Sequence, residues 1–168
     1  YDPAKVGTLY QTNVGAAVDA GRDVDIAPSS KDTRKVLLML VDMQVDFIHE
    51  DGTLSVPGAV DDTRRTIEWL YRNVDQVTTI AASRDSHVPI KSFSPTWWAD
   101  KDGNHPDPYT PISSDDVTSG RWTPLYEEAW SRDYVVKLEE QAKKQLMIWP
   151  YHTLIGTAGH TITPALYE

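Results

Sequence analysis

The chain has 168 residues, enough for one domain with a buried core, and its 40% hydrophobic content is ordinary for a globular protein. Its formal net charge of −9 at pH 7 argues against nucleic acids and anionic membrane surfaces, partners that require clustered Lys and Arg. No apolar run reaches the roughly 18 residues of a membrane-spanning helix, and no signal peptide is visible. The sequence contains no cysteine and therefore forms no disulfide. Independently of this, a cytoplasmic protein is our default expectation.

The first part of the chain, residues 1–35, mixes Gly, Ala, Asp and Ser with little periodicity. We interpret residues 1–35 as an N-terminal arm that packs on the domain or on a partner subunit. A loosely ordered terminus is the equal alternative. Residues 36–168 then form the domain itself.

A strand, a helix and a second strand follow the arm. Residues 36–42 (VLLMLVD) are a continuous apolar run, typical of a strand that is buried on both faces of a parallel sheet. Apolar residues recur at helical spacing over 60–74, with Asp61 or Asp62 as N-cap. Residues 77–83 are rich in β-branched side chains and predict the second strand. A strand–helix–strand unit implies a right-handed crossover and a parallel pair, so the predicted fold class is α/β.

A long loop and a second helix are predicted next. Residues 97–122 are rich in Pro, Asp, Ser and Gly and predict little regular structure, as in the rims and lids of functional sites. Thr123 as N-cap and Pro124 at the first helical position predict a helix. Lys143 and Lys144 suit the negative end of its dipole.

The C-terminal part predicts a third parallel strand over residues 146–150 (LMIWP). Three strands are few, because sheets usually contain about 5–6 strands. Thr163 and Pro164 open another helix that stops at Glu168, shorter than an isolated helix can be. We therefore expect the fold to be incomplete in this chain.

Polar side chains follow each predicted strand, where parallel α/β proteins place their chemistry. Asp85 and His87 stand two residues apart on an extended segment, so their side chains leave the same side and can converge on one ion. His152 follows the third strand and is a candidate third ligand. Carboxylate and imidazole groups favour zinc, with manganese or iron as alternatives, and three protein ligands leave positions for substrate. The alternative is that Asp85 caps a loop and both histidines are surface groups.

Other side chains have weaker signals. Asp42 ends the first strand and is either a partly buried general base or an Asx turn. The faces of Phe47 and Trp149 are suited to flank a planar ring, although core packing is the more frequent use of aromatic residues. The remaining histidines lie in polar turns or loops and are interpreted as solvated: His49, His105 and His160.

Four segments in order resemble the nicotinamidase and isochorismatase-like cysteine hydrolases. They are residues 41–47 (VDMQVDF), 52–59 (GTLSVPGA), 83–87 (SRDSH) and 149–159, which opens with WPYH and closes with GTAG. The Asp-x-His and Trp-Pro-x-His pieces are similar to the metal-bearing nicotinamidase branch. Isochorismatase-type members usually lack this ligand set.

The resemblance implies a Rossmann-like three-layer fold, with a parallel sheet that carries helices on both faces. It implies an amidohydrolase that converts a small pyridine carboxamide to the acid and ammonia, and that forms a homo-oligomer. By position, the resemblance implies that Asp42 is the catalytic Asp that accepts the proton of a thiol. It implies that a divalent metal, which holds water and the pyridine nitrogen, is bound by Asp85, His87 and His152. It also implies that two aromatic residues, Phe47 and Trp149, lie beside the substrate ring.

The chain departs from the family pattern in two places. Some members have a further His where Phe93 falls, so we expect three protein ligands. The family's Lys and Cys nucleophile lie beyond the point that matches Glu168, so a second chain segment is expected to supply them. Two alternatives stay open: a metal-free isochorismatase-like hydrolase, and a non-catalytic binding module of the same fold.

Overall fold

The computed structural model describes all 168 residues, which divide into two compact units. Residues 1–86 and 155–168 form the first unit, and residues 87–154 form the second. None of the helices combines the length and the apolar character needed to cross a membrane.

The first unit is built on a parallel pair of strands. Strand β1 (Leu37–Leu40) pairs with β2 (Thr79–Ala82), in a register that sets Leu37 beside Thr79 and Leu40 beside Ala82. Helix α3 (Ala59–Asn73) lies between them in sequence. The β-branched and apolar runs therefore form the strands and the helix where they were predicted, and the chain is an α/β protein with a parallel sheet.

The predicted burial of the first strand on both faces is wrong. Leu37 is 60% exposed, Met39 is 47% exposed and Val41, in the same apolar run, is 63% exposed. The sheet has only the two strands β1 and β2, so neither strand has a neighbour on its outer edge. An apolar run predicts the extended backbone, whereas burial depends on the elements that pack against it.

Helix α3 begins differently from the prediction. Its N-cap is Gly58, which adopts the left-handed conformation at φ 84°, a backbone region that glycine enters without steric cost. Asp61 and Asp62 lie inside the first turn, where they form ion pairs with Arg64 and Arg65 instead of capping. Their negative charge still suits the positive end of the helix dipole.

The buried face of α3 packs against both ends of the chain. Ile67 forms a small apolar cluster with Val6 and Ala165, all less than 5% exposed. Residues 1–35 also contain the 3-10 helices Pro3–Lys5 and Ser29–Lys31 and helix α1 (Val14–Arg22). Short α2 (Val45–Ile48) follows β1, and the 3-10 helices Val74–Gln76, Ala158–His160 and Pro164–Tyr167 complete this unit.

The second unit has its own core. Antiparallel pairs join β3 (Trp98–Ala99) to β5 (Thr123–Pro124) and β4 (Pro111–Ile112) to β6 (Leu146–Met147). Its helices are the 3-10 helix Pro95–Trp97, α4 (Ser114–Thr118) and α5 (Glu128–Ala142). The buried apolar residues form one cluster: Trp98, Ile112, Val117, Val135, Leu146 and Ile148.

Residues 97–122 contain only short elements, among them β3, β4 and α4, in agreement with the little regular structure predicted for them. Two other predictions for this unit are corrected. Thr123 and Pro124 form β5 instead of opening a helix, since a proline without an N–H also suits a short outer strand. The third strand pairs antiparallel with β4 and is not part of the parallel sheet. The sequence of a short strand does not reveal its partner.

Candidate metal centre

One donor atom each from Asp85, His87 and His152 lie within 4.8 Å of one another. His152 is buried, and Asp85 and His87 are half-buried. The two imidazole rings stand edge to face, with centroids 4.9 Å apart and an interplanar angle of 76°. All three predicted ligands are thus brought together.

The backbone and a ring hydrogen bond orient the two imidazoles. The His87 N–H donates to the Thr153 carbonyl at 3.1 Å, and His87 forms an isolated parallel bridge with Leu154. His152 Nδ1 lies 2.6 Å from the Pro150 carbonyl oxygen. Because a carbonyl only accepts, Nδ1 carries the proton and Nε2 presents its lone pair. Histidines that bind metals usually donate their second ring N–H in this way.

Phe93 forms an apolar wall beside both histidines. Its ring centroid lies 4.9 Å from that of His87, edge to face, and 6.4 Å from that of His152. Its carbonyl accepts a 2.9 Å hydrogen bond from the Trp149 N–H. A phenyl ring supplies no ligand, so Phe93 adds no donor on this side of the cluster.

The donor set fits a divalent metal. One carboxylate oxygen and two imidazole nitrogens are ligands that zinc, manganese and iron share. Three protein ligands leave coordination positions for a water or a substrate atom, which is the pattern of catalytic rather than structural zinc sites. The donor set does not distinguish these metals.

Asp42 lies at the carboxyl end of β1 and is half-buried. Its backbone has a positive φ of 53°. The Ser83 hydroxyl donates a 2.6 Å hydrogen bond to Asp42 Oδ1, and the Asp42 N–H donates to Ser83 Oγ at 3.2 Å. The two residues follow neighbouring parallel strands, so the sheet register aligns them. A carboxylate held this way can accept a proton, and its catalytic role stays a prediction.

The two predicted substrate-ring residues belong to different units. Phe47 is half-buried on α2, where its N–H donates to the Gln44 carbonyl at 3.1 Å. Trp149 is 38% exposed and meets the Tyr109 ring edge to face at 5.8 Å. Their role beside a substrate stays a prediction.

Two of the three histidines predicted to be solvated are buried. His49 is 1% exposed and its Nε2 lies 2.9 Å from Thr163 Oγ1, and burial lowers its pKa. His160 is 8% exposed and its Nε2 lies 2.7 Å from Ser86 Oγ. His105 is exposed, as predicted. His49 and His160 were predicted to be solvated because their local sequences are typical of polar turns or loops. Their hydrogen-bond partners, Thr163 and Ser86, lie far along the chain and could not be predicted from local sequence.

Two further residues, Gln44 and Asp46, were assigned no role from the sequence, and both are buried shortly after Asp42 in the chain. Gln44 bonds the backbone of Asp85 through its side-chain amide. Asp46 Oδ1 accepts a 3.2 Å hydrogen bond from the Thr53 N–H, and a Cβ at Gly159 would overlap its carboxylate. The one available signal was their place in the segment 41–47 that carries the family resemblance.

No protein-family model and no curated protein sequence matches the chain. Two solved structures of the yeast nicotinamidase Pnc1p resemble it. The structure bound to the inhibitor nicotinaldehyde has 22% identity and a TM-score of 0.45, and the other has 21% identity and a TM-score of 0.46. Each alignment covers 79% of this chain and 50% of the yeast chain, so this chain spans about half the length of those enzymes. At this level, the likeness assigns no activity or substrate to the chain.

Proposed function

We propose that this chain is part of a nicotinamidase-like amidohydrolase that converts a small pyridine carboxamide to the corresponding acid and ammonia. The observation that carries the proposal is the convergence of Asp85, His87 and His152 within 4.8 Å. These are the positions at which the sequence resembles the metal-bearing nicotinamidases. The order of the four similar segments along the chain supports the same family.

Asp85, His87 and His152 are the proposed metal ligands. A divalent ion there would supply a Lewis acid that orients the ring nitrogen of the substrate. The Pro150 carbonyl fixes the proton on His152 Nδ1, and the Phe93 ring packs edge to face against the His87 ring. Zinc is the proposed metal, and manganese and iron share its ligands.

Asp42 is the proposed proton acceptor. In the complete enzyme it takes the proton of a thiol, whose thiolate attacks the carboxamide carbon. Asp42 then passes this proton to the leaving nitrogen, which departs as ammonia, and water hydrolyses the thioester to the acid and regenerates the thiol. The Ser83 hydroxyl holds the Asp42 carboxylate in one rotamer. Phe47 and Trp149 are proposed to contact the substrate ring.

The thiol itself must come from elsewhere, since these 168 residues contain no cysteine. We propose that a second chain segment supplies the Cys and the Lys of the family, within a homo-oligomer. The 168 residues alone are then expected to bind the metal without turning over substrate. The lack of cysteine also favours the second candidate, a non-catalytic module of the same fold.

Metal binding by the purified chain tests the proposal. The metal-free protein is titrated with Co²⁺, whose absorption bands report nitrogen and oxygen ligands, and zinc content is measured after dialysis. We expect about one metal per chain in the wild type and in the control His105→Ala, which changes an exposed histidine. His87→Ala and His152→Ala are expected to lose it. Full occupancy in both of the latter variants would remove the ligand assignment.

Ammonia release from nicotinamide then separates an enzyme from a module. The complete protein, with its thiol-bearing segment, is expected to release ammonia, and Asp42→Asn is expected to lower the rate by about 10²-fold or more, as loss of a general base does. A complete protein that binds the metal but releases no ammonia supports the module. Bound substrate hydrolysed at full rate by Asp42→Asn excludes Asp42 as the base.

A further inference from the structure

Gln44 is a fully enclosed polar side chain that contacts one residue of the candidate metal centre. It follows Asp42 by two residues and is 0% exposed. A buried primary amide carries two N–H donors and an acceptor oxygen, and each is costly to leave unpaired. The partners of these groups therefore indicate what the side chain is for.

The side-chain amide of Gln44 forms hydrogen bonds with the backbone of Asp85, one of the candidate metal ligands. The Asp85 N–H donates to Gln44 Oε1 at 2.8 Å, and Gln44 Nε2 donates to the Asp85 carbonyl at 2.8 Å. Nε2 also donates to the His160 carbonyl at 2.9 Å. If the side-chain amide of Gln44 were flipped, its NH₂ group would face the Asp85 N–H and its oxygen would face the two carbonyls. Neither contact is a hydrogen bond, so the network determines the orientation of the amide.

A second contact holds the neighbouring residue. Ser86 Oγ lies 2.7 Å from His160 Nε2, and His160 is itself buried. The backbone of Gln44 forms an antiparallel bridge with Ile162. The Asp85–Ser86 segment is thus tied to Gln44 and to His160, and these two are tied to each other.

We propose that Gln44 is a positioning residue for the metal centre. With both the N–H and the carbonyl of Asp85 bound to one buried amide, the backbone that carries the Asp85 carboxylate is fixed before the ion binds, so only the side chain has to be ordered. The inference rests on the proposed metal-binding function. Gln44 acts through Asp85 and contacts neither metal nor substrate. Outer partners of metal ligands typically change metal affinity by about 10–100-fold when removed.

Cobalt binding by Gln44→Met tests this role, because methionine has a similar volume and none of the three hydrogen bonds. The matched control is Gln76→Met at an exposed position. We expect wild-type affinity and absorption bands in the control. In Gln44→Met we expect about 10–100-fold weaker binding and shifted cobalt bands, with the far-ultraviolet circular dichroism of the wild type. A folded Gln44→Met with wild-type affinity and bands would overturn the proposal.

Hydrogen exchange of the wild-type protein gives a test that needs no variant. The Asp85 amide of the metal-free chain is expected to exchange more slowly than an unstructured amide, because it donates to Gln44. If the Asp85 amide exchanged at the unstructured rate, its hydrogen bond to Gln44 would be disproved. This result would overturn the proposal even if Gln44→Met did not fold. Different results would contradict the metal-binding proposal and the Gln44 proposal. If the wild type binds no cobalt, the ligand assignment is wrong and Gln44 positions no ligand. If folded Gln44→Met binds cobalt normally, only the role of Gln44 is wrong.

Discussion

Ser83 and Asp42 are joined by two hydrogen bonds at the carboxyl ends of the two parallel strands: the Ser83 hydroxyl donates to the Asp42 carboxylate at 2.6 Å, and the Asp42 N–H donates back to that hydroxyl oxygen at 3.2 Å. The hydroxyl therefore orients the carboxylate and satisfies the backbone of the same residue. This pair connects the strand register to the residue proposed to handle the proton.

Removing the Ser83 hydroxyl should destabilise the protein. Ser83→Ala leaves a half-buried N–H and a carboxylate without this partner, so we expect a loss of about 1–2 kcal/mol in the free energy of unfolding. Urea denaturation measures it. Ser55→Ala, at an exposed position, is the control and should change the free energy by less than about 0.5 kcal/mol. Equal values for the two variants would show that the Ser83 bonds contribute nothing.

Two glycine-to-alanine variants should have opposite effects. A Cβ at Gly159 would overlap the buried Asp46 carboxylate, so Gly159→Ala should cost about 1–3 kcal/mol of stability. At Gly21, within α1, a Cβ meets nothing within 4 Å, and Gly21→Ala should stabilise the helix by about 0.5–1 kcal/mol. Thermal unfolding of both variants checks the signs. A stabilised Gly159→Ala would mean that Asp46 does not pack against this position.

Stability should fall in mild acid because of His49. Burial lowers the pKa of His49, against the opposing charges of Asp51 and Asp46. In the unfolded chain the imidazole takes up a proton near its ordinary pKa of about 6.5, before the folded one does. The contribution of His49 is therefore fully present above about pH 6.5 and is lost as the pH falls through the lowered pKa.

The variant His49→Gln isolates this effect. Glutamine is neutral and can still bond to Thr163, so the free energy of unfolding between pH 8 and pH 5 should decrease less than in the wild type. His105→Gln, which changes an exposed histidine, should keep the wild-type pH dependence. If the pH dependence of His49→Gln matched that of the wild type, His49 would not be the group responsible.

Zinc should stabilise the folded chain. A ligand that binds only the native state adds about 2.7 kcal/mol when its concentration is 100 times its Kd. The melting temperature of the wild type should therefore rise with zinc and return to the starting value with a chelator. His152→Ala, which lacks one proposed ligand, should show little of this rise. A zinc response that survives in His152→Ala would place the ion elsewhere.

Local patterns predicted three elements of the first unit, β1, α3 and β2, but not α1 or α2. The apolar run at 36–42 and the β-branched run at 77–83 formed the parallel pair, and the periodic apolar residues formed α3, because these signals act over a few residues. The start of α5 was misplaced since Thr123 and Pro124 suit both an N-cap and a short strand. The partner of β6 and the exposure of β1 depend on packing, which no local pattern records.

The candidate metal ligands were predictable for a related reason. Asp85 and His87 are close in sequence, and their chemistry limits the groups that can join them. Gln44 was missed because its partner Asp85 lies 41 residues away, and His49 because Thr163 lies 114 residues away. A polar residue in a turn predicts solvent exposure from its local sequence. Such a residue is buried when segments distant in sequence pack over it.

The positive φ of 53° at Asp42 affects how the proposed base can be examined by mutagenesis. Asp and Asn enter this region several-fold more often than other side chains apart from glycine. Alanine at this position would add a backbone penalty of about 1–2 kcal/mol to the loss of the carboxylate. A slow alanine variant would therefore not show whether the rate fell because the backbone was distorted or because the carboxylate was lost. Asparagine preserves torsion and size, so the activity difference between the Asp and Asn proteins measures the loss of the carboxylate without the backbone penalty.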